Sequence, residues 1–161
     1  MTSTVARVIL APRERQVLEG LADGSTLAAV ALDLKVREGT AAGYLKLAKA
    51  KLYGMGDLAA ALAVGYATEA ITRPELLDPT ALNLPEKQRD LVPLVAQGMR
   101  AVQMATKLNR PIGDVRRDGR DLMANLGGTP DCPKIRNQAH LVTRAWQYQV
   151  LTADQVIAWL P

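Results

Sequence analysis

Residues 10–52 read LAPRERQVLEGLADGSTLAAVALDLKVREGTAAGYLKLAKAKL, and the punctuation of this stretch decides the fold. Pro12 suits the first turn of a helix, where a missing N–H costs nothing. Val17, Leu18 and Leu21 follow at helical spacing, and Gly24 stands where a left-handed cap would end that helix. Ser25 or Thr26 caps a second helix, whose inward face is Leu27, Val30, Ala31 and Leu34. The turn Lys35-Val36-Arg37-Glu38-Gly39 leads to a third helix over residues 40–52, with Ala41, Leu45, Ala48 and Leu52 on one face. A fourth helix is expected over residues 57–71, with Asp57 as its N-cap.

A weaker copy of this pattern begins again further on. Leu84, Arg89, Gly98, Ala105, Leu108 and Leu126 stand 74 positions after Leu10, Arg15, Gly24, Ala31, Leu34 and Leu52. A constant, ungapped offset of this kind marks an internal repeat. Pro74 and Pro79, with acids between them, interrupt the helical pattern and separate two units, 1–73 and 74–161. A second break, Gly127 to Pro133, precedes a fourth-type helix over residues 135–150 that carries Leu141, Val142, Ala145 and Trp146. A last helix, over residues 152–160, opens with the capping-box pattern Thr152-x-x-Gln155. The expected fold class is therefore all-α, with two tandem four-helix units. A short extended piece at Val5 to Leu10 is the one exception. The stripes Leu58-Leu62-Tyr66 and Val142-Trp146 suit packing as a pseudo-dimer inside one chain, or pairing between chains in a homodimer through the fourth helices.

Composition narrows the function classes. The chain has 161 residues, of which 48% are hydrophobic but only 4% aromatic, with no Phe, so the core must be built from Leu, Val, Ala and Met. The longest apolar stretch, Leu58 to Ala67, is too short to span a bilayer. No N-terminal apolar region suggests a signal peptide, so a cytoplasmic setting is expected, with the single Cys132 a free thiol. The formal net charge of +4 leans mildly toward polyanions. Residues 1–78 carry nine basic and nine acidic side chains, whereas residues 79–161 carry eleven and seven, so the excess lies in the second half. No phosphate-binding glycine loop, nucleophile elbow, carboxylate pair or metal-ligand cluster is legible, so neither an enzyme nor a cofactor is expected. The lone His140 reads as a packing or surface residue, and Trp146 and Trp159 as core or interface anchors.

The first copy resembles the C-terminal DNA-binding domain of the LuxR/GerE family. The likeness rests on Leu10, Pro12, Arg13, Glu14, Val17, Leu18, Gly24, Thr26, Val30, Ala31, Leu34, Val36, Glu38, Gly39, Thr40, Leu45, Lys51 and Leu52, all at matching spacing. Region four of bacterial sigma factors shares much of the pattern. The second copy is similar through Gly98, Ala105, Leu108 and Leu126, with Pro111-Ile112-Gly113-Asp114 before its third helix. The resemblance implies helix-turn-helix units whose third helix enters the major groove of double-stranded DNA and whose fourth helix often dimerises. It implies a nucleoid-associated, sequence-specific transcription regulator, most simply a repressor. The alternative role is an interaction module on RNA polymerase or a sigma factor.

Carried onto this chain, the resemblance and the basic pattern single out a reading face. Lys35, Arg37 and Lys51 are placed to touch phosphates. Lys46 and Lys49 face away from the apolar back of the third helix, and Thr40, Ala42 and Gly43 line its start. Their small size would let backbone approach base edges. In the second copy Arg110 precedes the corresponding helix and Arg116, Arg117 and Arg120 form its front, where Arg can pair bidentately with guanine. Arg37 replaces a common serine, Ala42 a common lysine and Tyr44 a common histidine. The first unit is thus expected to read bases weakly, or to read a thymine methyl through Ala41 or Ala42. Asp114, Asp118 and Asp121 alternate with the arginines. They either oppose phosphates, accept from cytosine, or pair along the helix with Arg117 and Arg120.

Overall fold

A computed structural model describes residues 7–161, and every regular element among them is helical. The order is α1 (Pro12–Gly20), α2 (Leu27–Leu34), α3 (Glu38–Lys51), α4 (Leu58–Ala67), a 3-10 turn (Pro79–Ala81), α5 (Glu86–Arg89), α6 (Val92–Ala96), α7 (Ala101–Leu108), α8 (Ile112–Leu126), α9 (Gln138–Gln147) and α10 (Ala153–Trp159). Of the extended piece expected at Val5 to Leu10, residues 5 and 6 lie outside the described residues. Arg7 to Leu10 form no strand.

Side-chain caps act where the sequence places them. Thr26 accepts from the Ala29 N–H, Asp57 from Ala60 and Thr152 from Gln155. Helix ends differ more. α1 stops at Gly20, and Gly24 takes its left-handed φ of 85° inside the following turn. α3 begins at Glu38, because Lys35 turns left-handed (φ 57°) and Arg37 is already its extended N-cap. α4 ends at Ala67 rather than Ile71: Glu69 is left-handed (φ 60°) and the Ala70 N–H returns to the Gly65 carbonyl at 2.9 Å. This is a Schellman closure with Glu where Gly is usual, so residue type gave no warning of it. The first helix of the second copy is split into α5 and α6. Pro93 lacks an N–H and its ring clashes with the carbonyl four residues back, at Arg89, where α5 ends. α9 likewise begins at Gln138, three residues after Ile135, on the N-cap Asn137.

The backbone repeats along with the sequence. Gly24 and Gly98 have φ of 85° and 80°, and Lys35 and Asn109 have 57° and 52°, at the same offset of 74. α2 and α7 are eight residues each. Beyond the third helices the offset grows to 80, so that α4 matches α9, ten residues each, and Glu69 matches Gln149 (φ 60° and 61°). Both closures carry the same return hydrogen bonds, from Ala70 to Gly65 and from Val150 to Ala145.

The larger of two apolar clusters runs from Leu10 and Leu18 to Leu151 and Val156 and draws on both sides of the Arg73–Pro74 junction, while a smaller one, Val17, Leu21, Val30, Ala31 and Ala41, ties α1, α2 and α3 together. The centre of the larger cluster is the packing of α4 on α9. Every residue of α4 from Ala59 to Ala67 is buried, as are Leu141 to Trp146 of α9. Tyr66 and Trp146 occupy equivalent positions at the offset of 80 and meet each other, with ring centroids 5.4 Å apart. The Thr143 hydroxyl donates to the Ala139 carbonyl, so the Tyr66 phenol must donate to Thr143, at 2.8 Å. Burial pushes that phenol up to about 12, consistent with a permanent donor. The fourth-helix stripes are thus covered within a single chain.

The two halves also exchange contacts. Gly24 packs on Arg136 and His140, and its carbonyl accepts from the Asn137 amide at 3.1 Å. At the equivalent place Gly98 packs on Asp57. Asn137 and Asp57 are the N-caps of α9 and α4, so each half lays the start of its last long helix on the first turn of the other. A Cβ at Gly24 would lie 2.7 Å from the Arg136 Cβ, whereas Gly54, also left-handed, has open space around it. Gly54→Ala should therefore cost only the left-handed backbone penalty, about 1–2 kcal/mol, and Gly24→Ala clearly more. Urea denaturation of the two variants checks the order, and equal losses would contradict the tight contact.

Candidate nucleic-acid interface

α3 is locked by its back. Ala41 and Ala48 are fully buried against α1 and α2, and Leu45 is half-buried. Because Ala41 faces inward, it cannot meet a thymine methyl, and of the two alanines only Ala42 is exposed. Thr40, Ala42, Gly43, Lys46 and Leu47 form an open front. A Cβ built on Gly43 would touch nothing within 4 Å, so the fold itself has no packing need for glycine there.

The cations expected around this front divide into two groups. Lys35, Arg37 and Lys46 are exposed and, among the described residues, take part in no ion pair. Lys49 is half-buried and donates to the Gly56 carbonyl at 3.2 Å, tying α3 to the loop before α4. Lys51, expected at a phosphate, is held in an ion pair. Its ammonium pairs at 2.7 Å with Glu14, a carboxylate on α1 with 4% exposure. The hydrogen bond from Lys51 holds the Glu14 carboxyl below its usual range, against the opposing effect of burial, with help from the Ala11 N–H. The second half makes the same clamp without charge. Gln88, also buried, accepts from Asn125 at 2.6 Å, and these residues stand 74 positions after Glu14 and Lys51.

α8 buries Val115, Leu122 and Leu126 and exposes Arg116, Arg117, Arg120 and Asp121. Two of the four expected arginines are engaged. Arg117 pairs with Asp114 at 3.6 Å, as helical spacing allowed, and Arg110 pairs with the buried Asp118. Asp118 thus anchors the turn before α8 and is not available to a base. Arg116 and Arg120 remain exposed, with no ion pair among the described residues. Gly113 and Gly119, like Gly43, have no neighbour that a Cβ would meet.

The turn over residues 127–136 was legible only as a break, yet it is built. Arg144, 3% exposed, donates to the Leu126 carbonyl at 3.2 Å, to Asp131 at 3.0 Å and to Thr129 at 3.3 Å. Its guanidinium also lies over the Tyr148 ring. His140 accepts the Arg136 N–H on Nδ1 at 3.1 Å, which leaves its Nε2 facing the buried Cys132 sulfur at 3.5 Å. Burial, then Arg136 and Arg144, hold the imidazole below its usual value, so at neutral pH it is an uncharged brace. Among the described residues no three of His, Cys, Asp and Glu gather as metal donors. Among the described residues no helix is long and apolar enough to cross a membrane.

No protein-family model matches the chain, and no curated protein or solved structure is significantly similar to it.

Because the folded Glu14 carboxyl is depressed below its ordinary 4.5, the stability it contributes is complete above that pH and is lost as pH falls through the folded value. Lys51→Ala leaves a buried acceptor without its partner and should cost about 1–3 kcal/mol. The double variant Glu14→Gln, Lys51→Asn copies the clamp of the second half. It should recover much of that loss and flatten the acid limb of the stability profile below pH ~4.5. Thermal melts across pH test this, and an unchanged acid limb would show that Glu14 is not the titrating group.

Proposed function

We propose that this chain is a sequence-specific DNA-binding transcription regulator, built from two helix-turn-helix units of the kind the LuxR/GerE resemblance implies. α2 and α3 form one motif, and α7 and α8 the other. The observation that carries the reading is the pair of matched, open helix fronts. α3 and α8 keep apolar backs against their own scaffolds while Lys46, Arg116 and Arg120 face solvent. The major groove of a duplex admits one α-helix, and cations at its rims meet phosphates. Lys35 and Arg37 occupy that rim position at the start of α3. A glycine inside a helix costs about 1 kcal/mol relative to Ala, and Gly43 and Gly113 return nothing in packing. Close approach of another molecule supplies a reason for them.

The reciprocal contacts between halves support an intramolecular pseudo-dimer of units 1–73 and 74–161. When patch A of one unit meets patch B of the other and the converse also holds, the relation is isologous, hence near two-fold. Gly24 with Asn137 and Gly98 with Asp57 are a reciprocal pair of this kind, and the mutual contact of the equivalent residues Tyr66 and Trp146 supports the same reading. Two recognition helices so related address inverted half-sites in successive major grooves, about 34 Å apart. The fronts differ in sequence, so the half-sites are unequal. One chain then covers a whole site, and repression by occupancy is the simplest consequence.

The second reading, docking on RNA polymerase or a sigma factor, draws on Leu47, which is 51% exposed on the α3 front, and on the Asp114–Arg117 pair that reduces the charge of α8. Selection of duplexes from a random pool at physiological salt separates the two. The expected outcome is an inverted, unequal site bound by one chain. Direct repeats would reject the two-fold arrangement, and no enrichment together with capture of polymerase would reject DNA reading. On the selected duplex, Lys46→Ala and Arg116→Ala should each weaken binding, with the salt slope reduced by about 1 wherever the lost contact was to phosphate. Lys51→Ala should leave the slope unchanged.

A further inference from the structure

We infer that the turn over residues 127–136 is a second backbone-contact element, in which Lys134, beside Arg120 of α8, binds a duplex phosphate flanking the groove that α8 occupies. The inference rests on the DNA reading above and adds to it a surface that the first half lacks. Between Leu52 and the N-cap Asp57 stand four residues, none of them charged, whereas between Leu126 and the N-cap Asn137 stand ten, including Lys134 and Arg136. The extra length is what changes the repeat offset from 74 to 80.

The added residues are held in one shape. Thr129 and Cys132 exchange backbone hydrogen bonds, each 3.1 Å, and the Gly128 N–H donates to the Pro133 carbonyl at 3.1 Å. A Cβ on Gly127 would lie 3.1 Å from the Ile135 nitrogen and 3.3 Å from the Lys134 Cα. Any larger residue there would push the returning limb of the turn away from the end of α8 by a few tenths of an ångström. Arg144 fastens the other side through Leu126, Thr129 and Asp131. A cation carried on a fixed turn needs less ordering on binding than one on a loose loop.

The outward charge of the turn is positive. Asp131 is exposed too but is paired with Arg144, whereas Lys134 and Arg136 are exposed and Lys134 forms no ion pair among the described residues. Lys134 and Arg120 border one open groove of about 420 Å³, floored by Met123, Ala124 and Ile135. Arg136 is the next exposed cation along the turn, its charge partly offset by nearby Asp23. A single anionic oxygen between Lys134 and Arg120, next to a helix front that fits a groove, has the character of a backbone phosphate.

The test is anisotropy of the full chain on a short mixed-sequence duplex, read as affinity against salt concentration. Lys134→Ala should reduce the steepness of the log–log salt dependence by about 1 and weaken all duplexes alike, leaving sequence preference intact. Lys134→Arg, which keeps the charge, should restore the slope. Arg120→Ala, on the groove's other wall, should reduce the slope too. If Lys134→Ala leaves the slope unchanged while Arg116→Ala and Lys46→Ala weaken binding, the turn is not a contact and the helix-front reading stands. If the wild-type chain binds no duplex at low salt, both fall. Circular dichroism and melting of Lys134→Ala should match wild type, since that side chain is exposed and forms no ion pair among the described residues.

Discussion

The structure depends on the burial of α4 against α9. Ala59 to Ala67 of α4 and Leu141 to Trp146 of α9 are buried without a gap, and each helix alone would leave a wide face in water. Burying an aliphatic side chain is worth about 1.5–3 kcal/mol, so neither half can leave its stripe exposed without loss. Pairing the two stripes satisfies both at once. Tyr66 and Trp146 meet at the centre, and Thr143 receives the phenol that would otherwise be a stranded polar group. Everything else hangs from this pair. The N-caps Asp57 and Asn137 reach the opposite half, and the glycine turns at Gly24 and Gly98 leave room for them.

That central pairing also decides where charge is free. The helices that face outward, α3 and α8, lie away from the α4–α9 contact and expose their polar sides. Within each half a buried polar clamp fixes the end of the outward helix to the first helix. One clamp is ionic, Glu14 with Lys51, and the other is an amide pair, Gln88 with Asn125. The change is internally consistent: both partners lost charge together, so no buried carboxylate or ammonium was left uncompensated. Lys51 therefore belongs to the scaffold, although it sits on the helix whose front carries Lys46.

The halves are unequal in more than their clamps. The second has a broken first helix, a front in which Arg110 and Arg117 are paired to acids, and the braced turn over residues 127–136. The first has a plain loop after α3, and among the described residues its exposed cations around that helix without an ion pair are Lys35 and Arg37 at the start and Lys46 on the front. A repeated backbone thus presents two different surfaces.

Read alone, the chain settled its all-helical class, the 74-residue repeat, the caps at Asp57 and Thr152, and which faces of α2, α4 and α9 are apolar, while Ser25 and Thr26 stood equal as caps of α2. Those features are local, because spacing along a helix and the chemistry of a cap are written within a few neighbouring residues. Left-handed ends at Lys35, Glu69 and Gln149 were invisible, since these residue types do not announce positive φ. The partition of cations was equally hidden. Lys51 and Lys46 look alike in sequence, and only the fold brings Glu14 beside one of them, 37 positions away. A trace of that clamp was nonetheless present, as the 74-residue shift aligns Glu14 with Gln88 and Lys51 with Asn125. The pairing of α4 with α9 inside one chain, the shape of the turn that carries Lys134, and the inward aim of Ala41 were decided by tertiary packing. They depend on distant segments filling the same space, which periodicity cannot specify.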